Sequence, residues 1–220
     1  MARKKKTPRI VRFYRQYLMD EDAARFIAAV GSCYTPATLC RLSHARDHVT
    51  RRAAVMALGF LSGYEANDVL GPALKDPDRG VRLIAETVIR EVWKRDGGEY
   101  EQQQLGQIMA WNRSRRYEAA RQLASSLIEQ CPWFAEAWYQ RAVALYHLRR
   151  FSAAADDCRQ TLERNPYHFL AAITIGHCYL ELGDPLVALH CFRRALSVHP
   201  DLELVRSHVR HLQRVLESQD

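Results

Sequence analysis

Three prolines set the frame for this chain. Pro132, Pro166 and Pro200 recur at a spacing of 34 residues. Laid against itself at that shift, the sequence aligns Ala120, Ala154 and Ala188, then Leu127, Thr161 and Ala195, ahead of the three prolines. Nearer the start of each unit, Ile108, Ala142 and Gly176 align, followed by Trp111, Leu145 and Tyr179, while Tyr117 and Phe151 align with Pro185. A proline cannot continue the helix before it and restricts the preceding residue, so it separates units. Small residues at a helix crossing let two backbones approach, and large rings can fill the space beside that contact. One helix pair cannot bury its apolar stripe alone, so units of this kind must stack on their neighbours.

The unit resembles the tetratricopeptide repeat, a pair of antiparallel helices with small residues where the two cross. The third unit carries Gly176, Tyr179, Gly183, Ala188, Phe192, Ala195 and Pro200. The second carries Trp138, Ala142, Phe151, Ala154 and Pro166, and the first has Gln104 where a large aromatic is expected. The resemblance implies three units at 101–134, 135–168 and 169–202. Asp184 reads as an N-cap and Pro185 as the first residue of the last unit's second helix. Residues 203–220 read as a capping helix, with Leu204, Val205, Val209, Leu212, Val215 and Leu216 on its packed side. Arg206, His208, Arg210, His211, Arg214 and Glu217 lie on its solvated side.

The front half keeps a different beat. "RRAAVMALGFL" (51–61) and "VRLIAETVIREV" (81–92) each follow an acid, Asp47 and Asp78, and this aligns Arg51 with Arg82, Ala54 with Ala85 and Leu58 with Ile89. Val81, Ile84, Ala85, Val88, Ile89 and Val92 fall on one helical face. "LKDPDRGVR" (74–82) looks like the turn and second-helix start of a HEAT-type repeat, and "TPATLCRLSH" (35–44) like a first helix capped by Thr35 with Pro36 leading. Such units resemble the short HEAT-like repeats also found in bilin lyases. The spacing predicts a helix from Asp20 to Val30 and a short one over 8–18 that docks on the first repeats. "RDGGEY" (95–100) reads as the seam, with Gly97 ending the preceding helix. The expected fold is all-α: a right-handed α-solenoid of antiparallel helix pairs. It comprises a basic arm (1–19), a HEAT-like block (20–97), three tetratricopeptide units (101–202) and a capping helix.

Charge narrows the choice of partners. Of the 32 basic residues, Arg3, Lys4, Lys5, Lys6, Arg9, Arg12 and Arg15 precede the first acid, Asp20, so the body of the chain is neutral and the net +7 belongs to the arm. No basic face runs along the body, as a dedicated nucleic-acid binder would need. The arm has three readings: an idle solvated segment, a contact to RNA or DNA, or a weak contact to an anionic membrane. Apolar runs such as Val55 to Leu61 are far short of a membrane span, and the basic start lacks the apolar stretch of a signal peptide. A cytoplasmic location is expected. Cys33, Cys40, Cys131, Cys158, Cys178 and Cys191 form no CxxC pair and read as reduced thiols.

Motifs for catalysis do not emerge. The sequence has no Gly-rich phosphate loop, GxSxG or HExxH. His44 with His48, and His208 with His211, could each share a helical face, but neither pair has a further ligand nearby. His177-Cys178 and His190-Cys191 are neighbours whose side chains point about 100° apart on a helix. No enzyme activity, cofactor or metal is expected.

The resemblance instead implies binding, because the first helix of each tetratricopeptide unit lines an inner groove. On that register the groove holds Gln102, Leu105, Met109 and Asn112, then Glu136, Tyr139, Gln140, Val143, Tyr146 and His147, then Leu170, Ile173 and His177. Leu105, Val143 and Ile173 could equally pack between units. Such a set could hold an extended peptide or a partner helix. Chaperone-binding arrays clamp a peptide's carboxylate with Lys, Asn and Arg. The corresponding positions here hold Leu105, Met109, Gln140, Leu170 and Thr174, so a carboxylate clamp is not expected. Arg141 stands where the repeat usually carries a leucine-like residue, and a buried guanidinium needs a partner. Asp157 is the leading candidate and Asp156 the second; alternatively Arg141 reaches into the groove to meet an acidic partner. The leading function is a non-catalytic adaptor that binds protein. The rival is a nucleic-acid-associated protein that uses the arm and the HEAT-like block.

Overall fold

A computed structural model describes residues 8–218, and it divides into two compact units, one through Val92 and the other from Trp93. Arg3, Lys4, Lys5 and Lys6 of the basic arm lie outside the described residues. Among the described residues the regular structure is helical throughout, with thirteen α-helices, two short 3-10 turns and no strand.

The first unit contains α1 (Arg9–Asp20), α2 (Ala23–Gly31), α3 (Pro36–Leu42), α4 (His48–Leu61), α5 (Asn67–Ala73) and α6 (Arg79–Val92). α1 buries Ile10, Val11 and Tyr14 against α2 and α4, and the Ile10 amide donates to the Tyr34 hydroxyl at 3.0 Å. It runs two residues beyond 18, because Glu21 takes the left-handed conformation (φ 54°) that ends it. α2 therefore starts only at Ala23 and not at Asp20, with the Asp22 side chain accepting from the Arg25 amide. Thr35 caps α3, and Pro36 opens it.

The 31-residue beat appears as repeated hydrogen bonding. Asp47 accepts from the Thr50 amide at 2.8 Å, and Asp78 from the Val81 amide at 2.9 Å. Arg51 Nη1 donates to the carbonyls of Ala45 and Arg46; Arg82 Nη1 donates to those of Asp76 and Pro77, at the same offsets. Arg51 also forks onto the Asp76 carboxylate and Arg52 onto that of Asp78, which ties α4 to the turn that starts α6. Gly59 marks the crossing, since a Cβ there would lie 2.2 Å from Val88 Cβ.

The second unit stacks three helix pairs and a closing helix: α7 (Glu99–Arg113) with α8 (Tyr117–Gln130), α9 (Ala135–His147) with α10 (Phe151–Arg164), α11 (Phe169–Glu181) with α12 (Pro185–Val198), then α13 (Glu203–Glu217). α8, α10 and α12 begin and end on the 34-residue beat, as do α9 and α11. The prolines act as the spacing implies. In the residue before each one, the amides of Cys131, Asn165 and His199 close the preceding helices on the carbonyls of Leu127, Thr161 and Ala195. Ala120, Ala154 and Ala188 are fully buried at the crossings. α7 packs beside α9 and α9 beside α11, so the first helices form one continuous face.

The break between the units falls a few residues ahead of the Arg95–Tyr100 stretch. Trp93 belongs to the second unit, because its indole stacks on His168 at 4.1 Å and packs against Phe169 at 5.4 Å. Gly97 (φ 99°) then turns the chain into α7.

Candidate functional site

The face made by the first helices contains a hollow of about 310 Å³ between α9 and α11. Tyr139, Val143, Tyr146 and His147 line it from α9, and Thr174 and His177 from α11. Helical spacing explains this: residues 139, 143, 146 and 147 share one face of α9, and Thr174 and His177 present the facing turn of α11. The rings are braced from behind. His147 stacks on Tyr117 at 4.5 Å, Tyr146 packs edge-on against Phe151 at 5.4 Å, and His177 sits edge-on to Phe192 and His208. Burial lowers the His177 pKa, with help from neighbouring His208 and opposition from Glu181. Burial likewise raises that of the Tyr146 phenol. No lining residue is a carboxylate, lysine or arginine. The hollow thus offers aromatic and aliphatic surface with a few neutral hydrogen-bonding groups, the composition of a site for an apolar anchor side chain.

Three residues that the sequence assigns to the groove are instead held elsewhere. Glu136 and Gln140 are buried, at 4% and 8% exposure, and Asn112 is half-buried. They form a polar chain through the stack. Asn112 Nδ2 donates to the carbonyl and Oε1 of Gln140; Gln140 Nε2 donates to Glu136 Oε1 at 2.8 Å; Glu136 Oε2 meets His168 Nε2 at 3.1 Å. His168 Nδ1 accepts from the Ala171 amide and so caps α11. This chain runs from α7 through α9 to the start of α11 and fixes the register of the first helices. His168 is the residue that sequence spacing missed; only its position as the N-cap of α11 could have suggested it. Gln102 is exposed and donates to the Gly97 carbonyl, Leu105 is buried, and Met109 packs half-buried into the core of the first pair. Leu170 and Ile173 are half-buried, and Ile173 packs against the core of the second and third pairs.

Arg141 faces away from the hollow. Its Nε and Nη2 donate to the two Asp157 oxygens at 2.7 and 2.8 Å, Nη1 donates to Ser125 Oγ, and its guanidinium lies over Trp138 at 5.0 Å. It thereby joins α8, α9 and α10. Arg164 covers Trp138 at 4.8 Å. Among the described residues no group of three His, Cys, Asp or Glu side chains is placed to hold a metal ion, and no helix is long and apolar enough to cross a membrane.

Comparison with known proteins agrees with this geometry. Family models of the tetratricopeptide repeat match residues 135–168 and 171–202. An 89-residue stretch is 29% identical to DnaJ homolog subfamily C member 7 of Homo sapiens, and equally to that of Mus musculus, covering 40% of this chain and 18% of each relative. The chain therefore spans under a fifth of the curated relatives it matches. Among solved structures, the first TPR of Spaghetti (RPAP3), bound to an HSP90 peptide SRMEEVD, superposes with a TM-score of 0.51 at 18% identity over 53% of this chain and 93% of that one.

Proposed function

We propose that this chain, a tetratricopeptide-repeat protein over residues 135–202, is a non-catalytic adaptor that seats a partner polypeptide in the hollow between α9 and α11. One observation carries the reading: an open, uncharged hollow lined by Tyr139, Val143, Tyr146, His147, Thr174 and His177 on a face built from stacked first helices. Such a surface gains affinity by burying one or two apolar side chains, while the rings keep their shape at low entropic cost. The stacking that braces those rings suits rigid recognition rather than turnover, which would call for a nucleophile or an acid–base pair facing the bound group. The groove positions of chaperone clamps hold Leu105, Met109, Gln140, Leu170 and Thr174, with Leu105 and Gln140 buried. The partner is therefore gripped along its length rather than by a terminal carboxylate. A soluble, cytoplasmic setting fits this role.

The test is a selection of random displayed peptides on the full chain, followed by fluorescence anisotropy with the enriched sequences. Thr174→Arg places a long cation across the hollow and should weaken the selected peptides at least tenfold, while far-UV circular dichroism stays unchanged. Failure to enrich any sequence, or equal binding to the Thr174→Arg variant, would refute the assignment.

A further inference from the structure

We infer that the turns joining the two helices of the first and second repeats form an arginine-rich edge that docks an acidic polypeptide segment. The inference rests on the adaptor reading only in taking the partner to be a polypeptide. The three turns of the second unit superpose bond for bond. The amides of Arg116, Arg150 and Asp184 donate to the carbonyls of Trp111, Leu145 and Tyr179, and those of Arg115, Arg149 and Gly183 donate to Asn112, Tyr146 and Leu180. The middle position is left-handed in all three, with φ of 61° at Arg115, 60° at Arg149 and 79° at Gly183. The position after it is the N-cap of the second helix.

The third turn holds the residues that stabilise such a turn: a glycine where φ is positive, and Asp184, whose carboxylate caps the Val187 amide. The first and second turns hold arginine at both positions. Neither Arg116 nor Arg150 makes a side-chain cap, and each sets a cation at the positive end of a helix dipole. Arginine is thus unfavourable on three counts in each turn, the left-handed backbone at the first position and the missing cap and the dipole at the second. Residues that oppose their local structure mark sites retained for something else. Arg113 adds a fifth exposed guanidinium.

Their immediate surroundings leave these cations available. Arg149 is 79% exposed, with a loose ion pair to Glu181 at 3.8 Å; Arg150 lies close enough to Glu118 to help lower its pKa, although Arg121 is the main cause. Two guanidinium groups lie against rings, Arg116 over Trp111 at 5.4 Å and Arg149 over Phe151 at 5.5 Å, which limits their rotamers before a partner arrives. The repeat places the first and second turns side by side, so the edge is a strip of planar forks suited to carboxylates. The chemistry favours carboxylates over a nucleic-acid strand. The neighbouring rings are half-buried and already engaged, Trp111 by Arg116, Tyr117 by His147 and Phe151 by Arg149, which leaves no free platform for bases.

The experiment transplants the third turn's residues. Arg115→Gly/Arg116→Asp, Arg149→Gly/Arg150→Asp and the quadruple variant are compared with the wild-type chain. The probes are a fluorescein-labelled (Glu-Ala)6 peptide and a labelled (dT)12 strand, measured by anisotropy at low and moderate salt. The expected result is peptide binding that weakens at least fivefold with each double variant and is lost in the quadruple variant, whose Tm rises by several degrees. Peptide affinity unchanged in the quadruple variant would overturn the inference, because the N-terminal arm would then carry the binding. An arginine-dependent preference for (dT)12 would overturn the choice of partner, and a lower Tm would overturn the cost argument. Thr174→Arg should leave (Glu-Ala)6 binding intact, so failure of the hollow and failure of the edge read out separately.

Discussion

Removal of the Asp157 carboxylate tests what holds the two helices of the second repeat, α9 and α10, together. Arg141 makes two charge-assisted bonds to it at 2.7 and 2.8 Å, with side chains only 20% and 8% exposed. Asp157→Ala leaves the guanidinium with a neutral bond to Ser125 Oγ and the Trp138 face. Breaking a pair at this depth leaves one charge uncompensated and costs about 3 kcal/mol. Arg141→Leu should cost a similar amount, because it strands the carboxylate instead. The double variant Arg141→Leu/Asp157→Ala strands nothing and gives α9 the leucine that the repeat usually carries, so its loss should be within about 1 kcal/mol of wild type. The coupling energy in the cycle then exceeds about 2 kcal/mol. Urea unfolding, followed by far-UV circular dichroism and by tryptophan fluorescence, measures all four states, and coincidence of the two probes checks the two-state assumption. A loss below about 1 kcal/mol for Asp157→Ala, or a double variant equal to the sum of the singles, would refute the reasoning.

Two further perturbations bear on the two units separately. In the first, the Arg52 fork is the largest of the influences that hold the Asp78 carboxyl down to about 2. The folded state thus binds that proton less readily than the unfolded chain, whose carboxyl titrates near 3.9. The stability from this pair should be complete above about pH 4 and lost as the pH falls toward 2. Arg52→Gln should therefore move the acid-unfolding midpoint of the first unit upward, and an unchanged midpoint would count against it. In the second unit, a Cβ at Gly176 would meet the Phe192 ring at 2.5 Å. Gly176→Ala should lower stability by about 1–2 kcal/mol, because overpacking outweighs the gain in helix propensity. Adding Phe192→Leu should relieve part of that loss, and strict additivity in thermal melts would speak against the crossing as its cause.

The repeat was legible because its signals are local and periodic. Ala120, Ala154 and Ala188, the prolines, and the Asp184-Pro185 start all act through their own helix, so a shift of the sequence against itself finds them. The Arg141–Asp157 pair was also accessible, since a charge in a packing position demands a partner on the returning helix. The polar chain was not. Glu136 and Gln140 share the helix register of Tyr139 and Val143 closely enough that spacing alone places all four on one face. Their withdrawal depends on His168, a whole unit later, and on Asn112, a unit earlier. Periodicity reports which side of a helix a residue occupies; it does not report whether a neighbouring helix covers that side. The break at Trp93 escaped for the same reason, because the ring that claims it lies 75 residues further along, at His168.

The turns show a further limit of sequence reading, and a use for it. Aligning Arg115 and Arg149 with Gly183, and Arg116 and Arg150 with Asp184, needs nothing beyond the 34-residue shift, yet arginine in a turn looks unremarkable as sequence. Only the backbone shows that the first position is left-handed in all three turns and that the second is the N-cap position of a helix, which Asp184 alone of the three fills with a side-chain bond. At each such position a non-glycine costs about 1 kcal/mol, and the absent cap about as much again. Across two turns the sum is a few kcal/mol, a substantial share of the stability of a domain this size. Single substitutions toward the residues that the third repeat already uses, Gly183 and Asp184, would remove that cost. The acidic partner inferred above would account for arginine being kept at these positions despite that cost. The hollow, by contrast, is built from rings that also brace the stack, so its role in binding and its role in packing must be separated by substitution at Thr174, which takes no part in those ring contacts.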